Sequence, residues 1–539
     1  MKTKRFLALL LSLAMMFSLL AGCGTTPEEP EETKAGTTVE DVPEDPNKKP
    51  LEGEKLSIWI PIMWAGKTMD YAENEAFKQI QENLGVELEF ITPAAGSEIE
   101  QFNIMMTSGE MPDIIFTGWN GFNGLFTDGA DAYIEEGLIY ELSDLVDQYA
   151  PNYKRLITEV MPEVERNSIY TDAGNMYQFG CISPYEEYAW NGLLIRDDFL
   201  EAVGMDSPET IEEYEAVLTA FKDQLGCEAP LLMGAIDGTS GYLMSAWNLA
   251  PGIYQDNNVV KWGFNQPEFK EYLTLMNRWY ENGLLYVDFA TMDTETQQRL
   301  MTTGESGMIL GSPATVNAWM AGIGTVSVGA YPTLEAGQRI NFRMVNRRLA
   351  AGFGAVITTD CENVEAAVKF LDYGYSEEGF MLYNYGIEGL TYELTGNKLT
   401  FDGFEYPEAQ FTDGMKNNPE YPVMDAILEF KLHAGPFLRF EHQSNPTLDP
   451  YTLSVLQEIT EGADPVLNMP PVTYTSDENA TINEIMTQIN TYANTSILEF
   501  IMGIRSLDEF DSYVAEIEDM GIQDVIDICQ DALDRYNAR

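Results

Sequence analysis

The chain begins its patterned part with strand-like alternation. Leu56, Ile58 and Ile60 share one face, and Val86, Leu88 and Phe90 repeat the period of two. Between them Ala76, Phe77, Ile80 and Leu84 fall at helical spacing, and Gly85 ends the run. A second helical stripe, Ile99, Phe102 and Met106, stops at Ser108-Gly109 ahead of an apolar strand from Asp113 to Phe116. This order predicts β-α-β-α-β with short connections, which is an α/β unit with a parallel sheet covered by helices. Ligands of such sheets sit beyond the carboxyl ends of the strands, here near Pro61 to Thr68 and near Thr117 to Asn120.

The alternation of strand and helix returns further on. Thr210 with Glu213 predicts a capping box for a helix to about Gln224, followed by a short strand from Leu231 to Ile236. Phe269, Tyr272, Leu273, Met276 and Trp279 mark an amphipathic helix closed by Asn282-Gly283. Met308 to Leu310 and Ala355 to Thr358 read as further strands, the second leading into a helix through Val364, Ala367, Val368 and Leu371. From Thr481 onward the pattern is helical.

Upstream of this body the composition changes twice. Lys2, Lys4 and Arg5 precede an uncharged apolar block from Phe6 to Leu20, the arrangement of a secretory signal and too short for a membrane-spanning helix. From Thr25 to Lys55 the chain holds five prolines and ten Asp or Glu, with too little apolar surface to offset the cost of ordering it. We read residues 1–22 as signal and 23–54 as a tether. Removing the signal takes away three basic residues and no acid, which moves the formal charge from -57 to -60. A surface of that sign repels nucleic acid and anionic lipid, so neither is expected as a partner.

Candidate chemistry is mostly excluded. Cys181, Cys227, Cys361 and Cys529 are widely separated, and the chain has only His433 and His442, so no zinc site and no metal or cofactor is predicted. Buried free thiols are the expectation, with one disulfide open. "WAGKT" (Trp64 to Thr68) has the end of a phosphate-binding loop, but its first glycine would fall at Pro61, which has no N–H to offer. "GTSG" (Gly238 to Gly241) is not a nucleophile elbow, and the isolated carboxylates of "TDGADAYIEE" (Thr127 to Glu136) lack calcium-loop spacing. What recurs is tryptophan beside turn residues: Trp64, Trp119, Trp190, Trp247, Trp262 and Trp319. Flat apolar rings suit the C–H faces of sugars, with Asn, Asp, Glu and Gln for the hydroxyls. Trp59, in a strand, and Trp279, on a helix stripe, are assigned to the core.

Leu20-Ala21-Gly22-Cys23 resembles the lipobox of bacterial lipoproteins, which implies cleavage before Cys23 and a lipid anchor there. "SGEMPDIIF" (from Ser108), "EEGLIYELSDLVDQYAPNYKRL" (from Glu135), "LLIRDDFLEAVGMDSPETIEEY" (from Leu193), "WYENGLLYVDFAT" (from Trp279) and "NYGIEGLTYE" (from Asn384) resemble the solute-binding lipoproteins of ATP-driven importers, particularly a large carbohydrate-binding group. The resemblance covers about Leu56 to Leu394. It implies a two-lobed periplasmic-binding-protein-like (type II) fold with a hinge and an interlobe cleft. Carried onto this chain, one lobe is 55–182 plus 350–402 and the other is 183–349 plus 403–539, the latter largely helical at its end.

The resemblance also implies a ligand site. Trp64 follows the first strand, and Trp119 with Asn120 follows the third; Tyr188 and Trp190 lie where the chain crosses between lobes. Trp247 with Asn248, and Trp319, occupy second-lobe stacking positions, while Tyr385 and Glu388 either serve the cleft or brace it. Arg339, Arg343, Arg347 and Arg348 either pair with neighbouring carboxylates or receive an acidic sugar. The function implied is that of a monomeric, non-enzymatic binding protein, anchored on the outer face of a bacterial, Gram-positive membrane, that hands a carbohydrate to an ABC permease. A surface glycoside hydrolase or esterase, and a binding protein for a peptide or other solute, are the alternatives.

Overall fold

The computed structural model describes residues 48–62, 70–118, 124–161, 169–183, 188–234, 241–343, 349–401, 404–416, 429–432, 435–440 and 450–538. The chain divides after Lys48, and the unit that begins at Lys49 carries the elements described below. Cys23 lies outside the described residues. The tether ends earlier than its composition indicates. Leu51 is buried, its N–H donates to the Leu84 carbonyl at 2.8 Å, and Gly53 donates to Gly85 at 3.2 Å, so 49–54 belongs to the body.

The first core is built on a five-stranded sheet. Its expected β-α-β-α-β start is present as β1 (Lys55–Trp59), α1 (Glu75–Leu84), β2 (Glu87–Ile91), α2 (Glu98–Ser108) and β3 (Ile114–Phe116), with β1 parallel to both β2 and β3. The Asn74 side chain accepts from the Phe77 N–H at 3.0 Å to start α1, and Gly85 ends it at φ 75°, a left-handed conformation costly for residues with a Cβ. Phe77 and Ile80 are fully buried, each adding about 1.5–3 kcal/mol relative to exposure. In α2 Phe102 is buried and Met106 packs partly buried beside it, but Ile99 is 51% exposed, so the helix formed and its expected stripe lost one residue to solvent. Two later strands complete the sheet in the order β2-β1-β3-β11-β4: β4 (Phe179–Ile182), and β11 (Leu349–Ile357), which runs antiparallel to β3 and β4.

The second core surrounds a four-stranded sheet ordered β10-β5-β9-β6, from β5 (Gly192–Arg196), β6 (Leu231–Leu232), β9 (Met308–Gly311) and β10 (Val326–Val328). The capping box of α3 (Ile211–Leu225) is present, with Glu213 N–H donating to Thr210 Oγ1 and Thr210 N–H to Glu213 Oε2. All five stripe residues of α4 (Pro267–Glu281) are buried, and the Trp279 indole donates to Glu215 at 3.1 Å. The expected C-terminal helices include α8 (Ser476–Ile501) and α9 (Ile522–Asn537), preceded by α7 (Pro450–Glu461) and, in the first lobe, by α5 (Val364–Tyr373) and α6 (Glu377–Tyr385). The hairpin β7 (Ile253–Asp256) and β8 (Val259–Trp262) turns through Asn257 and Asn258, both at positive φ.

The resemblance places 403–539 together in the second lobe, whereas its described residues divide between the two cores. β12 (Tyr392–Phe401) pairs with β13 (Phe404–Phe411), and Tyr406, Phe411, Met415, Leu432, Phe437, Leu438 and Phe440 join the first core. The second core receives the chain again by Val455. The hairpin supplies the reason: β13 must hydrogen-bond β12, whose Tyr392 is already packed in the first core. The four body cysteines are buried free thiols. Among the described residues no helix is long and apolar enough to cross a membrane, and no group of three His, Cys, Asp or Glu could hold a metal ion.

Candidate functional site

Strand register identifies the edge of each sheet that a ligand could meet. In the first sheet Ala355 lies opposite Phe116 and Leu349 opposite Ile182, so the carboxyl ends of β1, β3 and β4 and the amino end of β11 share one edge. In the second, Gly192 lies opposite Gly311, β6 runs parallel to β9, and Val328 lies opposite Leu194. That gathers the amino end of β5 with the carboxyl ends of β6, β9 and β10. β4 ends at Ile182 on the first edge and β5 begins at Gly192 on the second, so these two edges border the candidate cleft.

The crossing carries Tyr188 and Trp190, both half-buried, around a buried Ala189 whose N–H donates to Thr460 Oγ1 on α7 at 2.8 Å. Gly192 is pressed against the same helix: a Cβ there would sit 2.6 Å from Ile459 Cδ1 and 3.4 Å from Val328 Cγ2. Those two side chains also line a cavity of about 270 Å3 at the end of β10. Tyr242 and Tyr331 form part of its wall, stacked with ring centroids 3.9 Å apart and an interplanar angle of 18°. The Tyr242 hydroxyl donates to the Gly329 carbonyl at 2.9 Å, which locks the pair to the strand end. Glu209 and Glu458, both exposed, and Gln338 supply polar lining, and no Lys or Arg is among the lining residues. The Gln338 amide is committed: it donates to the Ala246 carbonyl at 2.7 Å and accepts from Leu334 at 2.8 Å. On the first sheet's edge, Ser183 Oγ is buried and has no partner among the described residues. The arrangement combines an aromatic pair in the cavity wall with two carboxylates that can accept hydrogen bonds from hydroxyls, which suits a neutral polyhydroxylated ligand.

The residues expected at the site are distributed unevenly. Trp64, Trp119 and Asn120 lie outside the described residues, and Tyr188 and Trp190 are at the crossing. Trp247 is half-buried, and its indole N–H donates to Glu271 on α4 at 2.9 Å while the ring meets Tyr272 edge-on at 6.0 Å. Asn248 is held at φ 57° and accepts from Asn341 at 2.7 Å. Trp319 ends the helix Pro313–Met320, about 10 Å of helix beyond the Ser312 edge, and packs partly buried on the second core. Tyr385 and Glu388, open between serving the cleft and bracing it, part company. Tyr385 is fully buried in the first core between Tyr392 and Phe411, with its phenol pushed up by burial, so it braces the lobe and cannot touch a ligand. Glu388 is exposed and lines a groove of about 640 Å3 with Gln79, Asn83, Glu377 and Tyr392. Trp262, one of the turn-flanking tryptophans, is also core, at 0% exposure.

The arginine cluster divides as well. Arg339 forks onto Asp464, and Arg343, 6% exposed, donates to the Ala463 carbonyl at 3.0 Å. Ion pairing and backbone bracing therefore account for these two; Arg347 and Arg348 lie outside the described residues. Sequence reasoning missed Tyr242, Tyr331, Glu209 and Glu458. The available signal was Gly329-Ala330-Tyr331 directly after the strand Val326–Val328, an aromatic at a strand's carboxyl end.

The family model for bacterial extracellular solute-binding protein matches residues 65–379. A fructooligosaccharide ABC transporter substrate-binding protein, FusA of Streptococcus pneumoniae, is 24% identical over 100% of this chain and 99% of its own length. YtcQ of Bacillus subtilis, a polygalacturonan/rhamnogalacturonan-binding protein, is 22% identical over 98% of both chains. Among solved structures, the alginate-binding protein AlgQ2 superposes with a TM-score of 0.72 at 22% identity, covering 90% of this chain and 98% of its own. The two-lobed fold is shared with these proteins.

Proposed function

The chain belongs to the bacterial extracellular solute-binding proteins, and from that premise we propose that it captures a neutral oligosaccharide between its lobes for delivery to an ABC permease. The observation that carries the choice of a neutral sugar is the cavity beside the crossing. Tyr242 and Tyr331 form part of its wall, its exposed polar groups are the Glu209 and Glu458 carboxylates, and among the described residues no cation lines it. An anionic sugar would meet two carboxylates there, a repulsive pairing that works against binding. Arg339 and Arg343, the two described arginines of that cluster, are already paired. The fructooligosaccharide transport named for FusA supports the same class, whereas the substrates named for YtcQ and AlgQ2 are acidic polymers or their pieces.

Tyr188 and Trp190 would contribute ring faces from the crossing, and Trp64 and Trp119 with Asn120 would act from the first lobe. Closure would be a hinge motion about the crossings, stabilised by a ligand that touches both lobes. Cys23 would hold the protein to the outer membrane face through a lipid, with the acidic segment after it as a leash. No covalent chemistry is proposed.

Thermal-shift screening of kestose and nystose against oligogalacturonates tests the reading. A neutral sugar at about a hundred times its Kd should stabilise by about 2.7 kcal/mol. Stabilisation by the acidic series alone would overturn the neutral assignment, and release of smaller sugars during incubation would overturn the binding role in favour of a hydrolase.

A further inference from the structure

The two cores meet away from the chain crossings through a small ionic network. On the first lobe Asp172 sits in the turn closed by Gly174 N–H to the Thr171 carbonyl at 2.9 Å. That turn is pinned to the helix Ala130–Glu135, because Asp131 Oδ1 accepts from both Thr171 Oγ1 at 2.6 Å and Asn175 Nδ2 at 2.7 Å. On the second lobe Thr475 and Glu478 form the capping box that starts α8. Arg535 on α9 holds Glu478 with both amino groups, at 2.9 and 2.8 Å. Its remaining Nε–H points across the boundary and donates to Asp172 Oδ2 at 2.6 Å, and Thr473 Oγ1 donates to Asp172 Oδ1 at 2.9 Å. Both oxygens of a first-lobe carboxylate are therefore taken by second-lobe donors.

The network is partly withdrawn from water, with side-chain exposures of 17% for Asp172, 20% for Glu478 and 34% for Arg535, so salt screens it less than a surface pair. A second contact lies beside it. Gly129, at φ +84°, would place a Cβ 2.8 Å from Asn479 Nδ2 and 3.1 Å from the Tyr474 carbonyl, so first-lobe backbone packs closely against the residues that begin α8.

We propose that the Asp172–Arg535–Glu478 network is a latch that favours approach of the lobes and so raises affinity for whatever the cleft holds. The regulatory half of this inference rests on the ligand-binding reading above; the latch itself does not. Each lobe has its own core, so their relative orientation is set by the crossings plus contacts of this kind. A contact between lobes lowers the free energy of the approached arrangement relative to a separated one, and a ligand that binds the approached form gains by the same factor. Charge-assisted hydrogen bonds of this burial predict a roughly tenfold effect.

The test uses the full chain with Asp172→Asn, Arg535→Gln and the double variant. Small-angle scattering reads lobe separation without ligand, and calorimetric titration with kestose reads affinity. Both single variants should increase the radius of gyration and weaken kestose roughly tenfold, and the double variant should be no worse than either single. Asp172→Asn changes a turn on the opposite lobe from α9, so it remains informative if Arg535→Gln disturbs the helix. An unchanged radius, additive effects in the double variant, or parental kestose affinity in a variant whose radius has grown overturns the latch. If kestose does not bind the parent protein, the sugar reading fails while the radii still decide the latch.

Discussion

Tyr331→Ala tests the candidate site most directly. The side chain is 5% exposed and lies 3.9 Å from Tyr242 in a stacked geometry on the cavity wall, with Gly462 leaving room for its ring. Truncating a buried aromatic to alanine costs about 3–5 kcal/mol, of which the stack accounts for about 0.5–1.5 kcal/mol. An unfolding entropy of about 2.1 cal/mol/K per residue over a body of roughly 490 residues converts this into a fall in Tm of about 3–5 °C. If the lobes melt separately, the fall belongs to the second lobe's transition. Binding should fall about tenfold as well, because the same ring lines the cavity in which a sugar would rest, and that loss corresponds to about 1.4 kcal/mol. Differential scanning calorimetry and titration with the neutral oligosaccharide that gives the largest thermal shift measure the two effects on one preparation. A folded Tyr331→Ala protein with parental affinity would refute the assignment of this cavity to the ligand, even if its Tm fell as expected.

Three further outcomes follow from the geometry. Trp247→Ala should lower Tm, through loss of the Glu271 hydrogen bond and the Tyr272 contact that commit the ring to the second lobe, while changing sugar affinity less than threefold, on the order of 0.6 kcal/mol; a tenfold loss would assign Trp247 to the ligand instead. The four body cysteines should resist thiol reagents in the native protein and react on unfolding, because burial pushes the Cys227 thiol up to about 11 and that of Cys361 up to about 12; rapid native labelling at neutral pH would contradict this. For Glu478, burial opposes ionisation, but the Arg535 fork and the Thr475 N–H outweigh it and leave the carboxyl below its ordinary value. Its stabilising contribution is therefore complete above the ordinary carboxylate pKa of about 4.3 and is lost as pH falls through the depressed folded value. Glu478→Gln should accordingly flatten the acid limb of a Tm-versus-pH profile, and an unchanged acid limb would show that this group does not titrate with unfolding.

The local elements were legible in the sequence. Periods of two and of 3.6, Gly85 and Gly109 after helical runs, and the Thr210–Glu213 capping box act over a few residues, and each appears in the structure. The Asn257-Asn258 hairpin carries the same kind of local signal, two adjacent asparagines that tolerate positive φ. The pairing of β1 with β2 and β3 was also legible, because two short β-α-β connections leave few other arrangements.

Partnership between distant segments was decided by the tertiary structure. Nothing near Leu349–Ile357 indicates that this strand inserts antiparallel between β3 and β4, or near 404–440 that the segment returns to the first core. Aromatic residues divided for the same reason. Trp59 and Trp279 were correctly assigned to the core from their strand and helix settings, but Trp262 and Tyr385 beside turn residues resemble exposed platforms until the surfaces that cover them are known. A side chain's periodicity records which face of its own element it occupies. Whether that face meets a core, a cavity or the opposite lobe depends on segments hundreds of residues away, as with Asp172 and Arg535, and only the folded chain brings those together.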